Sequence, residues 1–393
     1  MRELTSRSRM LRALNRQDVD HVPNCFMSFT ALRQRCNDDM FRLTEAELAL
    51  GLDSMLFIPG LPRRLRSEHP HLRGLPVRFD PAVSFTEGRS RSKTGSELLY
   101  RQYKTPAGEL TCSVQRTEDW PHGDHIPFID DYQVPRSVKP LITCNDDLEA
   151  LQFLLAAPRD EDVSRFQEEV KDAQRFVEQH NVLLAGGWGV SVDMAFWLCG
   201  MQNFMQAMLQ EPEFAAQLLE MIHIWNMARM RVVLSAPVDL YIRRAWYEGC
   251  DFVTPRTYRN LILPHLKTEV DLAHEYGVKF AYICTSGIDP MLDLFLEAGI
   301  DVLIGIDPVQ GTHTNMSTIK ARAGTKMCLW GGVSGAITIE QGTEQEIRQA
   351  TSQAIATLGP SGFVLSPIDN ITEDQTKTWQ NLDVFIDEWR RHW

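Results

Sequence analysis

Between Asp239 and Pro367 short apolar runs alternate with stretches whose apolar positions recur at helical spacing, so the segment reads strand, helix, strand, helix through five strands. Strands that alternate with helices imply a parallel sheet covered by helices. Polar and aromatic residues bunch where each strand ends. In such folds chemistry gathers at the carboxyl ends of the strands.

Upstream the alternation is looser. Residues 5–16 predict a helix with Met10, Leu11 and Leu14 on one side. Strands are expected at 22–29, 53–59 and 181–187, and helices at 39–50, 146–156 and 161–179, with one long helical stretch at 194–235. The later strands are 239–246, 279–284, 301–306, 326–330 and 362–366. Thr254 before Pro255, Asp289 before Pro290 and a Thr343/Glu346 capping box open helices, and Thr372 with Gln375 is expected to open the last one by the same box. Residues 75–120 break the pattern. The turn Pro106-Ala107-Gly108 divides two apolar-aromatic runs, which predicts an antiparallel hairpin inserted after strand two. With the Pro- and Asp-rich residues that follow, the insertion extends over about 75–145. Eight strands, nearly all followed by a helix, predict one α/β domain over 1–393: a (β/α)8 TIM barrel with an N-terminal helix and the hairpin insertion. A doubly wound open sheet is the competing arrangement, but no Gly-x-Gly-x-x-Gly follows an early strand.

Composition narrows the function classes. The 393 residues are 44% hydrophobic and 23% charged, as in an ordinary globular protein. A net charge of −12 repels phosphate backbones, so no nucleic-acid partner is expected. The short basic cluster Arg63, Arg64 and Arg66 reads as a solvated loop. No run approaches the ~18 apolar residues of a membrane span, and the opening residues lack the apolar segment of a secretory leader. Eight cysteines without a CxxC pair suit a reducing cytoplasm. The expectation is a cytoplasmic protein acting on a small molecule.

The barrel's working face would collect Phe29 from strand one, Pro59 and Gly60 from strand two, and Trp188 and Asp193 from strand three. Strand four would add Arg244, Trp246, Tyr247 and Glu248, and strand five Tyr282 and Cys284. Asp307 and His313 would follow strand six, Trp330 strand seven, and Asp369 and Asn370 strand eight. Trp188, Trp246, Tyr247, Tyr282 and Trp330 together favour a flat, apolar or π-rich ligand, although single rings of this kind also cap barrel cores. Glu248 lies among aromatics, where lost hydration raises a carboxyl pKa and suits a general acid; a salt bridge to Arg243 or Arg244 is the plainer alternative. Tyr282 and Asp307 are the other catalytic candidates, Asp307 having also the ordinary role of capping a turn. Arg244 offers a two-point contact to a carboxylate. Phe29, His313 and Asn370 complete the substrate-binding set. Cys284 is a candidate thiolate or metal ligand, but a buried cysteine is more often an inert small hydrophobe, and spacing alone supplies no cluster of metal ligands.

The segments SRSRMLRALNRQDVDHVPN, LGLDSMLF, YKTPAGEL, FVTPRTYRNLILPHLK, LFLEAGIDVL and GFVLSPIDN, in that order, resemble the uroporphyrinogen decarboxylase superfamily nearly end to end. The resemblance implies a (β/α)8 barrel, often dimeric, with one of two chemistries. One branch decarboxylates a tetrapyrrole without a cofactor. The other moves methyl groups to or from corrinoids, usually with zinc. The decarboxylases' Arg-rich RQAGR segment is matched here by SFTALRQRC, with Arg33 and Arg35 out of register. The methyltransferases' His-x-Cys-Gly is matched by Tyr282-Ile283-Cys284-Thr285, and their later Cys falls near Asp369. The implied metal ligands are therefore Cys284 and Asp369, with Glu248 completing the set. The leading expectation is methyl transfer from a small aromatic compound to a corrinoid on a partner protein, Glu248 or Tyr282 protonating the leaving atom. The alternatives are a cofactor-free decarboxylase of a planar carboxylated substrate, held by Arg33, Arg35 and Arg244, and a non-catalytic binder of a tetrapyrrole or protein.

Overall fold

In chain order the strands are β1 (Met55–Ile58), β2 (Ser84–Arg91), β3 (Glu97–Thr105), β4 (Gly108–Gln115), β5 (Ser137–Lys139), β6 (Leu183–Gly189), β7 (Leu240–Arg244), β8 (Lys279–Ile283), β9 (Val302–Ile306), β10 (Cys328–Ser334) and β11 (Phe363–Ile368). The structure is a computed structural model and describes residues 3–59 and 75–393. Gly60, Arg63, Arg64 and Arg66 lie outside the described residues. The described chain divides into two units, one drawn from Met1–Arg63, Glu168–Trp188 and Val233–Trp393, the other from Arg64–Gln167 and Gly189–Val232.

The first unit holds a curled seven-stranded parallel sheet in the order β1-β6-β7-β8-β9-β10-β11. Side chains alternate across a strand. Leu183, Ala185, Leu240, Ile242, Ala281, Ile283, Val302, Ile304, Cys328, Trp330 and Val364 accordingly form one apolar cluster on the inner face. Met10, Ala13 and Leu14 of the N-terminal helix Ser6–Leu14 join it. The intervening positions face the helices: Tyr282 packs on Phe295 of helix Leu292–Ala298, ring centroids 5.1 Å apart. Burial on both faces explains why these strands read as continuous apolar runs.

The first expected strand, 22–29, is not one. It makes a single parallel bridge, Asn24 to Leu365 of β11. Beyond that bridge, side chains supply part of what a ladder would. On the other side of Asn24, its carbonyl accepts the Asp53 amide (2.9 Å) and its amide donates to Asp53 Oδ2 (3.1 Å). The Met27 amide donates to Ser366 Oγ (2.9 Å).

Local signals set several helix starts. Thr254 accepts the Thr257 amide with Pro255 in the first turn, and Thr343 and Glu346 form both bonds of the capping box. The last helix, Thr376–Arg390, departs from expectation: Gln375 is its N-cap without a side-chain bond, and Thr372 instead donates to Glu340. The long stretch 194–235 is three helices, Val192–Cys199, Met201–Gln210 and Pro212–Leu234. It breaks at Gly200, whose φ of 77° suits glycine, and before Pro212, which cannot continue a helix.

The second unit holds an antiparallel sheet in the order β2-β3-β4-β5. The expected hairpin is its β3–β4 pair, with Thr105 opposite Gly108, and two further strands flank it. Among the described residues no helix is long and apolar enough to cross a membrane.

Candidate functional site

At the carboxyl ends of β6 and β7 an arginine is set among aromatic rings. Arg244 is only 5% exposed, and its guanidinium carbon lies 4.3 Å from the ring centre of Trp246, 5.8 Å from Trp188 and 6.0 Å from Tyr247. Trp188 and Trp246 are tilted neighbours at 5.9 Å, and Phe57 at the end of β1 meets Trp188 edge-on. A guanidinium on the negative faces of indoles gains cation–π attraction and is held in a defined orientation. Trp246 donates its indole N–H to Asp369 Oδ1 at 3.0 Å, tying the end of β7 to the end of β11. Trp188, Arg244, Trp246, Tyr247 and Asp369 are therefore brought together. The two tryptophans and Tyr247 are half-buried, which leaves ring surface for a ligand.

Glu248 and Tyr282 stand elsewhere. Glu248 is fully buried, and Arg243 donates to both of its oxygens at 3.0 Å while also reaching Glu269 at 3.1 Å. Tyr282 donates to Glu248 and shares a 2.9 Å hydrogen bond with Tyr258. Tyr282 and Phe295 lie on the helix side of the sheet, opposite Ala281 and Ile283 of the inner cluster. Although burial works against its charge, the carboxylates of Glu248 and Glu269 hold Arg243 well above its ordinary range. Burial, then the Glu248 carboxylate, pushes the Tyr282 hydroxyl well up. An acid whose two oxygens share one guanidinium nitrogen, Arg243 Nη2, is an ion-pair partner, so the general-acid expectation for Glu248 and Tyr282 is corrected: both belong to a sealed ionic cluster. The sequence reading missed Tyr258 and Glu269; their signal is a polar residue on the buried face of helices Pro255–Leu261 and Leu263–Glu275.

Three other expected ligand-facing residues are also reassigned. Trp330 has no exposed surface, sits in the inner apolar cluster and donates its indole N–H to the Cys25 carbonyl at 2.8 Å. It is a core residue. Phe29 is buried between Phe26 (5.0 Å) and Trp379 (5.6 Å). Asn370 braces the chain, accepting the Thr30 amide at 3.0 Å and donating to Thr30 Oγ1 at 2.9 Å. His313 is exposed on the loop after β9, at a φ of 43°. Asp193 lies fully buried on helix Val192–Cys199 in the second unit. Arg33 pairs with Asp38 at 3.3 Å, and Arg35 pairs with Asp374 and stacks on Trp379, so the two do not form one carboxylate clamp.

Asp307 follows β9 directly and is 2% exposed. Its Oδ1 accepts the amides of Val309 (2.8 Å) and Gln310 (2.9 Å). Its Oδ2 is buried without a hydrogen-bond partner. Burial pushes this carboxyl up, against the two amides and Ser334, whose hydroxyl lies close enough to act on it without ordinary bond geometry. Ser334, at the end of β10, escaped the sequence reading because the strand was ended at Trp330.

The zinc set implied by the resemblance does not fit. The Cys284 thiol is buried and donates to the Ser286 carbonyl at 3.3 Å, Asp369 accepts the Trp246 indole, and Glu248 is clamped by Arg243. Among the described residues no three His, Cys, Asp or Glu side chains are gathered as a metal site.

The family model for uroporphyrinogen decarboxylase (URO-D) matches residues 121–391. No curated protein matches the chain. Among solved structures, a methyltransferase from Methanosarcina mazei is similar over 99% of this chain and 99% of its own, at 17% identity and a TM-score of 0.61. A B12-independent methionine synthase from Shewanella sp. W3-18-1, in complex with selenomethionine, is similar over 94% of this chain and 98% of its own, at 10% identity and a TM-score of 0.50. At these identities the likeness is one of fold.

Proposed function

Because the chain belongs to the uroporphyrinogen decarboxylase family, we propose that it is an enzyme of the methyl-transferring kind. It takes a methyl group from a small aromatic compound and passes it to a corrinoid carried by a partner protein. In this reading the whole chain works as one (β/α)8 unit in the cytoplasm, with residues 22–27 as the eighth stave, and it pairs as a homodimer. The observation that carries the proposal is the Trp188–Trp246 pair with Arg244 on its face. A flat ring stacks on an exposed indole face, and a buried guanidinium orients a polar substituent on it. The fold likeness to a methyltransferase supports the same choice over decarboxylation. The decarboxylase reading asks for several arginines converging on one pocket, whereas Arg33 and Arg35 are each paired to a different acid.

The test is to mix the protein with a reduced corrinoid and a panel of methoxyarenes and follow the cobalt absorption. Methyl transfer from at least one donor is expected, with Trp246→Ala and Trp188→Ala raising KM about tenfold or more. A silent spectrum with every donor would remove the proposal.

A further inference from the structure

Transfer of a methyl group from oxygen or nitrogen leaves an electron pair on that atom, and a poor leaving group needs a proton as the bond breaks. Glu248 and Tyr282 are locked in the ionic cluster, so the donor must be sought elsewhere at the carboxyl ends of the strands. Asp307 is on that rim, one residue beyond β9. A bulge precedes it: the β9–β10 register runs Trp330 opposite Ile304 and then Gly331 opposite Ile306. Gly305 has a φ of 120° and Gly331 one of 141°. A Cβ on Gly305 would stand 2.3 Å from the Cys284 carbonyl oxygen, and one on Gly331 2.6 Å from that of Ile306. Only glycine permits the bulge, and bulges re-aim the side chains next to them.

The two oxygens of Asp307 are treated differently. A turn cap needs only Oδ1, which takes the Val309 and Gln310 amides. Oδ2 is buried and carries no hydrogen bond. Burying an ionised oxygen there disfavours the charged form and raises the carboxyl's pKa, and Oδ2 is the oxygen left to carry the proton. We propose that Asp307 is the general acid of the methyl-transfer site, protonating from Oδ2 the heteroatom that the methyl group leaves. This rests on the methyl-transfer reading. The electron pair for the new methyl bond comes from the acceptor, a reduced corrinoid. The carbon–heteroatom bond breaks with its pair on the heteroatom, the Oδ2 proton moves to that atom, and water returns a proton to Asp307. The groups acting on this carboxyl are the two amides and the Ser334 hydroxyl from β10, while His313, further along the same loop, is exposed.

The experiment compares single-turnover methyl transfer from a poor leaving group (an unactivated methoxyarene) and a good one (a nitro-substituted methoxyarene) in the wild type and Asp307→Asn. The variant should lose ~10²-fold or more with the poor leaving group and little with the good one. Equal losses on both donors would overturn the assignment. Infrared spectra of the free proteins give a second readout: a protonated carboxylic acid band at neutral pH, absent from Asp307→Asn, is expected, and its absence from the wild type would overturn it as well. Should the variant not fold, the wild type alone decides. Its rate on the poor leaving group, but not on the good one, should fall as pH rises through the raised Asp307 titration; parallel profiles would refute the role. A wild type silent on all donors but keeping the infrared band would remove the methyl-transfer reading and leave Asp307 a neutral buried acid.

Discussion

Glu248 and Asp307 both lie just past the carboxyl end of a strand of the same sheet, and both are buried, yet they meet opposite environments. Glu248 faces Arg243, which takes both its oxygens, and Tyr282 and Arg243 tie it to Tyr258 and Glu269. Asp307 has two amides on one oxygen and, on the other, no hydrogen bond of ordinary geometry and no cation. Burial is common to both, so burial does not mark the acid. The partners do: a guanidinium pins the charged form, while an unpartnered oxygen in a dry place favours the neutral one. Glu47 extends the comparison. It is buried on helix Met40–Ala49 and accepts a hydrogen bond from the Ser54 hydroxyl. Burial raises it to about 8, against that hydrogen bond.

The largest expected effect tests Glu47. Its folded pKa lies above the unfolded value, so the folded protein binds the extra proton between the two. Its contribution is whole below about pH 4.5 and is lost as pH rises to about 8, by at most ~5 kcal/mol in all. Glu47→Gln keeps the acceptor for Ser54 and should flatten that limb, raising stability at pH 8 and changing little at pH 5. Urea unfolding at the two values checks it, and equal shifts at both would mean the carboxyl is not held neutral. Next is Glu248→Leu, which leaves Arg243 with Glu269 as its remaining acid and should cost about 3–5 kcal/mol in urea unfolding at pH 7. Asp307→Asn should change stability by about 1 kcal/mol or less. Similar losses for the two would erase the distinction between clamp and donor. The smallest effect concerns the rim itself. Trp246→Phe removes the indole bond to Asp369 and should cost about 1 kcal/mol in thermal unfolding while leaving the stacking face. A loss of several kcal/mol would make Trp246 part of the core, as Trp330 is.

Much of this was legible in the chain, for identifiable reasons. The later strands announced themselves because each is buried on both faces and flanked by capping residues such as Thr254 and Thr343. The group Trp188, Arg244, Trp246 was legible because it ends two such strands. Residues 22–29 misled because the apolar run is real, but part of its polar backbone, the Asn24 and Met27 amides, is satisfied by the Asp53 and Ser366 side chains. Trp330 and Tyr282 misled for a related reason: whether a ring near a strand end faces the inner cluster, the helices or the rim depends on strand parity and bulges, which alternation alone does not reveal once both faces are apolar.

The order of the later strands and helices and the family were thus settled by the sequence, since each depends on local periodicity, capping or ordered similarity along the chain. Which acid is ion-paired and which stands alone was decided only by the fold. A carboxyl's charge state depends on groups brought next to it from distant segments, such as Glu269 beside Arg243 or Ser334 near Asp307, and on the water those segments exclude.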